Sequence, residues 1–87
     1  MNQIRFTTHA LEEMRRRGIT QEQVKAVLAN PGQILPGRNQ RMIYQSKMEL
    51  GSGKPYLLRV FVDERESPSL VITVYRTSKI QKYWRMP

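Results

Sequence analysis

The chain has 87 residues, enough for one domain with a small core, and its 39% hydrophobic content suits a folded globule better than a disordered tail. It has no cysteine, which excludes disulfides and thiolate metal sites, and His9, the single histidine, cannot build a histidine-rich zinc site, so neither metal nor cofactor is expected. Fifteen Lys+Arg against seven Asp+Glu give a net charge of +8, and the opening residues hold no apolar leader-like stretch nor any run near the ~20 residues that span a bilayer, which predicts a cytoplasmic protein with no membrane association.

Residues 3–6 alternate apolar and polar and lead into Thr7 and Thr8, either of which can cap a helix carrying Glu12 and Glu13 near its start. This predicts a first helix over 9–17 with Ala10, Leu11 and Met14 inward, a stop at Gly18, and Ile19 packing back as an anchor. Thr20 with Gln23 is a capping-box pattern, and Val24, Val27 and Leu28 repeat at helical spacing until Asn30, Pro31 and Gly32 end a second helix.

Beyond that break the period changes to that of strands. A short edge strand is predicted at 33–36, a second strand at 41–48, a hairpin loop at 50–54, a third strand at 55–63, an acidic loop, and a fourth strand at 70–77. The expected fold is α+β: an N-terminal helix hairpin packed on one face of a three- to four-stranded antiparallel sheet, with the opposite face open. Alternation assigns Leu58, Val60, Val62, Leu70, Ile72 and Val74 to the helix side. It puts Arg59, Thr73 and Tyr75 on the open face, with Tyr44 joining them, and leaves Arg76 on the helix side near the rim.

The positive charge is uneven: +1 over residues 1–22, +4 over 23–48, −1 over 49–66 and +4 over 67–87. The last segment interleaves Arg76, Lys79, Lys82 and Arg85 with Tyr75, Tyr83 and Trp84 and has no carboxylate. Cations set among aromatic rings suit a phosphate backbone with unstacked bases, because neutralised phosphates release counterions and rings offer stacking faces. RNA is therefore the expected partner, the alternative being a merely solubilising surface.

The runs HALEEMRRRGIT at 9–20, VKAVLANPGQI at 24–34 and TVYRTSKIQKYW at 73–84 resemble a family of small toxin-like proteins related to BrnT and, more distantly, to the RelE/ParE toxins. The resemblance spans nearly the whole chain. It implies a RelE-like fold, membership of a toxin–antitoxin pair with a cognate antitoxin, and metal-independent endoribonuclease activity on mRNA, free or on the ribosome. Some relatives of that superfamily act on gyrase instead. A net charge of +8 makes an acidic antitoxin segment electrostatically apt.

Metal-free RNA cleavage needs a base for the 2′-hydroxyl, an acid for the departing 5′-oxygen and cations for the transition state. His9 is the candidate base or acid, against a structural role in capping or in bonding to the sheet. Arg59, a long cation among apolar strand neighbours, is the candidate phosphate clamp or transition-state stabiliser, against a structural pair with a strand carboxylate or with Glu13. Tyr75 can stack a base or donate a proton, Arg76 can bind phosphate, and Thr77 can fix the backbone or a phosphate oxygen; together they can equally be an ordinary strand end. Lys79, Lys82 and Tyr83, with Tyr44, complete the RNA-binding candidates, while Ile80, Tyr83 and Trp84 can alternatively form a short helix docked on the body with Trp84 as a plug. Arg15, Arg16 and Arg17 read as a solvated face paired with Glu12 and Glu13, with room for one of them to turn toward the sheet. Catalysis requires His9, Arg59 and the 75–77 end to converge, whereas a non-catalytic RNA-binding or protein-interaction module needs only a shared basic surface.

Overall fold

A computed structural model describes residues 3–49 and 53–86. Its elements are β1 Ile4–Phe6, α1 Thr8–Arg17, α2 Gln21–Ala29, β2 Gln33–Pro36, a single 3₁₀ turn Arg38–Gln40, β3 Met42–Glu49, β4 Pro55–Asp63, β5 Ser69–Thr77 and α3 Ile80–Tyr83. The loop expected at 50–54 lies, over 50–52, outside the described residues.

Both long helices are bounded by local chemistry. Thr7 Oγ1 accepts from the Ala10 N–H, and Thr20 and Gln23 exchange the two bonds of a capping box; caps of this kind contribute about 1 kcal/mol each. Helix α1 ends in a Schellman motif. Gly18 takes φ 69°, its N–H donates to the Arg15 carbonyl, and the Ile19 N–H donates to the Met14 carbonyl. Ile19 is thereby turned inward and buried.

The described strands form one five-stranded mixed sheet in the order β1-β5-β4-β3-β2. Strands β2 to β5 are antiparallel neighbours, but β1 joins the far edge parallel to β5, with Ile4 opposite Ser69 and Phe6 opposite Val71. This corrects the expected RelE-like architecture of a helix hairpin on a three- to four-stranded antiparallel sheet. The helices also differ from a hairpin: α1 packs on β5, α2 packs on β3 and β4, and each is held by the sheet more than by the other. Because β1 occupies the β5 edge for only three residues, α1 continues along that edge, tied by the Thr7 N–H to the Val71 carbonyl and by Thr7 Oγ1 to the Ile72 carbonyl.

The core lies between the helices and one sheet face. Ala10, Met14, Ile19, Val24, Val27 and Leu28 meet Tyr44, Tyr56, Leu58, Val60, Val62, Val71 and Val74. A register shift at Phe61/Val62 pairs Thr73 with Phe61 and Val71 with Val62, so Ile72 is the extra residue of a bulge. The alternation reverses there. Val71 and Val74 both reach the core, and Leu70 and Ile72, expected beside Val74, do not.

The β4–β5 connection is anchored by Asp63. Its Oδ1 accepts from the Arg65 N–H and Nε and its Oδ2 from Nη2, and these bonds hold the carboxyl down from an ordinary 3.8 to about 2. A carboxyl lowered by folding stabilises fully above its ordinary value and loses that contribution as pH falls toward the folded one. The urea midpoints of the wild type and Asp63→Asn are expected to differ at neutral pH and to converge between 3.8 and about 2. Equal midpoints at neutral pH would show that the anchor adds nothing.

Candidate nucleic-acid interface

The register stacks the residues of the second sheet face into rows. Ile43, Phe61 and Thr73 form one, Gln45, Arg59 and Tyr75 the next, and Lys47, Leu57 and Thr77 the third. Gln33, opposite Gln45, extends the middle row across four strands as a hydrogen-bonded ladder. Gln45 Nε2 donates to Gln33 Oε1 at 2.8 Å, Arg59 Nε donates to Gln45 Oε1 at 2.8 Å, and Arg59 Nη1 donates to the Tyr75 hydroxyl at 2.6 Å. Gln45 is 0% and Arg59 7% exposed, so the centre of the ladder is buried between half-buried Gln33 and Tyr75, and its polar groups are mutually partnered.

The chain's own tail covers this ladder. The Tyr83 carbonyl accepts from Gln45 Nε2, the Arg85 N–H donates to Gln33 Oε1, and Gln33 Nε2 donates back to the Arg85 carbonyl. The Tyr83 ring lies 4.3 Å from the Arg59 guanidinium, and Phe61 and Tyr75 complete an aromatic cage at 5.4 and 5.7 Å. Trp84 folds over Gly32, where an added Cβ would sit 2.9 Å from the indole, so the tail seat needs glycine at that point. Among the described residues no carboxylate pairs with Arg59. Its charge is held by aromatic faces and neutral acceptors alone.

Beside the covered ladder the face is open. His9, exposed at the start of α1, places Nε2 3.3 Å from Thr73 Oγ1. One and two turns further along the same stripe lie Glu13 and Arg17. Glu13, bonded to Arg16 and Arg17, is held below the usual carboxylate range chiefly by the Arg16 bond, and the Arg17 guanidinium rests 5.9 Å from the Tyr75 ring. Burial raises the Tyr75 phenol above its ordinary value, with the Arg59 bond opposing, so the phenol stays protonated near neutrality. On the other side of Thr73 a 540 Å³ cleft opens toward the turn at 37–41.

The sequence-derived candidates separate accordingly. His9, Arg59, Tyr75, Thr77 and Tyr83 share this face, with Arg59 beneath the tail. Thr77 Oγ1 accepts from the Lys79 N–H. Lys79 and Lys82 are exposed beside it, the Lys82 ammonium 5.3 Å from the Tyr83 ring. Arg76 and Tyr44 are elsewhere. Arg76 follows Tyr75 by one residue and so falls on the helix side, its guanidinium 5.7 Å from the Tyr56 ring. Tyr44, expected on the open face, is buried in the core with its hydroxyl donating to Glu64; burial, then that bond, pushes its phenol up to about 12. Sequence reading missed Gln33, Gln45 and Arg41, while Arg17 is the one of the three helix arginines that turns toward the sheet. The signal for Gln45 was a polar residue on the same strand parity as Ile43, but naming Arg59 as its partner required the β3–β4 register.

Architecture and face together define an α+β domain presenting a cationic, aromatic sheet surface beside an exposed histidine. The chain belongs to the family described as a domain of unknown function, DUF4258, whose model matches residues 6–76. No curated protein and no solved structure matches it. Among the described residues no helix is long and apolar enough to cross a membrane, and no cluster of three or more potential metal-ligating side chains occurs.

Proposed function

We propose that the chain is the toxin of a cytoplasmic toxin–antitoxin pair that binds single-stranded stretches of mRNA on this face and cleaves them without a metal ion, restrained by an acidic antitoxin. The observation that carries the reading is His9 beside Thr73, on the face that also bears Tyr75 and Arg17. The resemblance of the 9–20, 24–34 and 73–84 runs to BrnT-related and RelE/ParE toxins points the same way.

In this mechanism His9 accepts the proton of the ribose 2′-hydroxyl as O2′ bonds to phosphorus. The P–O5′ bond breaks, and the protonated Tyr75 phenol supplies the proton to O5′. Arg17 offsets charge building on the phosphoryl oxygens. Arg59 acts through Tyr75: its bond to the phenol oxygen stabilises the phenolate left behind. The products are a 2′,3′-cyclic phosphate and a 5′-hydroxyl. Arg76 and Tyr44, on the other side of the sheet, take no part.

One observation favours a non-catalytic RNA-binding module instead. The tail buries Arg59, so the ladder cation meets Tyr83 where a phosphate would otherwise approach. Incubating a labelled unstructured RNA with the purified chain in EDTA separates the two. Fragments ending in cyclic phosphate support the nuclease. Intact RNA with salt-dependent binding leaves the module, and neither cleavage nor binding removes both.

A further inference from the structure

We infer that the cleft between the 37–41 turn and the floor of β3, β4 and β5 is a subsite for one nucleotide, seating an unstacked base with its phosphate. This rests on the RNA-binding reading and specifies where a single unit of the strand is gripped. The floor is apolar, made by Ile43, Phe61 and Ile72, the last placed there by the bulge in β5. The rim is cationic and polar, with Arg38, Asn39 and Arg41 on one side and Thr73 on the other. Its 540 Å³ falls within the ~300–1,000 Å³ of small-ligand sites, and an apolar floor with a few convergent polar groups is their usual composition.

Arg41 gives the site its preference for an anion. Its Nε is buried without a partner, and Nη1 has only a 3.4 Å contact with the Asn39 carbonyl. The buried Nε is out of a ligand's reach, but a guanidinium that lines the cleft and, among the described residues, has no ion pair favours an anion on its terminal nitrogens. The acid whose field Arg41 feels, Asp63, has both oxygens engaged by Arg65, and among the described residues no carboxylate lines the cleft. Arg38 is exposed and, among the described residues, forms no ion pair.

The rim is also set in advance. The Gly37 N–H donates to the Arg41 carbonyl at 2.8 Å, the Arg41 N–H donates to the Arg38 carbonyl at 3.0 Å, and Gln40 Oε1 accepts from Arg65 Nη1 at 2.7 Å. A phosphate alone would use the guanidinium and leave the apolar floor wet, whereas a nucleotide uses both. Thr73 joins the cleft to His9, so a base held there sets the strand's register relative to the histidine.

Methyl NMR of the full chain tests the assignment with the four nucleoside 5′-monophosphates and inorganic phosphate as probes. At least one monophosphate is expected to shift the Ile43 and Ile72 methyls and leave Ile4 and Ile19 unmoved, with inorganic phosphate moving neither pair. Arg41→Gln should weaken that binding about tenfold and reduce the salt slope of a short RNA by about 0.7, the value for one lost phosphate contact on a single strand. Silent Ile43 and Ile72 methyls with short RNA still bound would overturn the subsite and leave the RNA reading standing. If the RNA does not bind either, that reading falls with it. A glutamate-rich peptide that shifts those methyls where monophosphates do not would reassign the cleft to an acidic protein partner.

Discussion

His9→Gln is expected to lower the RNA-cleavage rate by about 10²- to 10⁴-fold, the usual contribution of a positioned proton-transfer group. Glutamine keeps a hydrogen-bonding partner for Thr73 Oγ1 but cannot exchange a proton near neutrality, so the substitution removes chemistry and spares the contact. His9 is exposed at the beginning of α1, and the helix cap belongs to Thr7, so fold and melting behaviour should change little. RNA affinity, carried by the arginines and the aromatic face, should stay within about twofold, which puts the loss in kcat and leaves KM nearly alone. Cleavage by a folded His9→Gln protein at the wild-type rate would take the imidazole out of the mechanism and return His9 to a structural partner of β5.

The helices were legible because their signals are local. Thr7, Gly18 and the Thr20–Gln23 box each act within a few residues, and the structure bounds α1 and α2 almost where those residues put the ends. The strands at 33–36 and 55–63 were legible from composition and turn residues. What could not be read was pairing across the chain. Three residues, Ile4 to Phe6, do not announce a parallel partner more than sixty positions away, and that one pairing turns an antiparallel sheet into a mixed one. Nor does strict alternation foresee a bulge, which is why Val71 rather than Ile72 enters the core and why Ile72 is free to line the cleft.

The site was legible in part for the same reason. Arg59 stood out as a cation among apolar neighbours, and His9 as the one histidine, and both lie on the candidate face. The partners foreseen for Arg59 were a phosphate or, in the structural alternative, a carboxylate. Its actual partners are an amide, a phenol and the ring of Tyr83, reached only once the register and the tail are in place. Docking of the tail is itself set by groups far apart in sequence, Gln33 with Arg85 and Gly32 with Trp84, and no periodicity encodes those contacts.

That arrangement makes Arg59 the keystone of the second face, and Arg59→Ala is expected to destabilise the fold by about 3 kcal/mol. The substitution strips Gln45 Oε1 and the Tyr75 hydroxyl of their donor, and a buried polar group left unmatched costs about 1–3 kcal/mol. It also opens a void under Tyr83, a loss that grows with the volume left behind. Relief of an unpaired buried charge opposes these terms without cancelling them. A small domain has only about 5 kcal/mol to lose, so the variant should show a much lower urea midpoint. Trp84, the only tryptophan, reports the tail directly: its emission should shift to the red in the variant before urea is added, as the 83–85 segment leaves Gln33 and Gln45. A partly compensated variant, Gln45→Leu with Arg59→Met, removes Gln45 Oε1 together with its donor and keeps the aliphatic stem but takes from the Tyr83 carbonyl its Gln45 donor, so it should recover only part of the midpoint, that part measuring the unmet polarity of Gln45. If Arg59→Ala keeps its urea stability within the ~0.5 kcal/mol of an ordinary surface change while RNA binding collapses, the guanidinium is a ligand clamp reached by moving the tail aside, and its burial under Tyr83 is a closed state of the binding face.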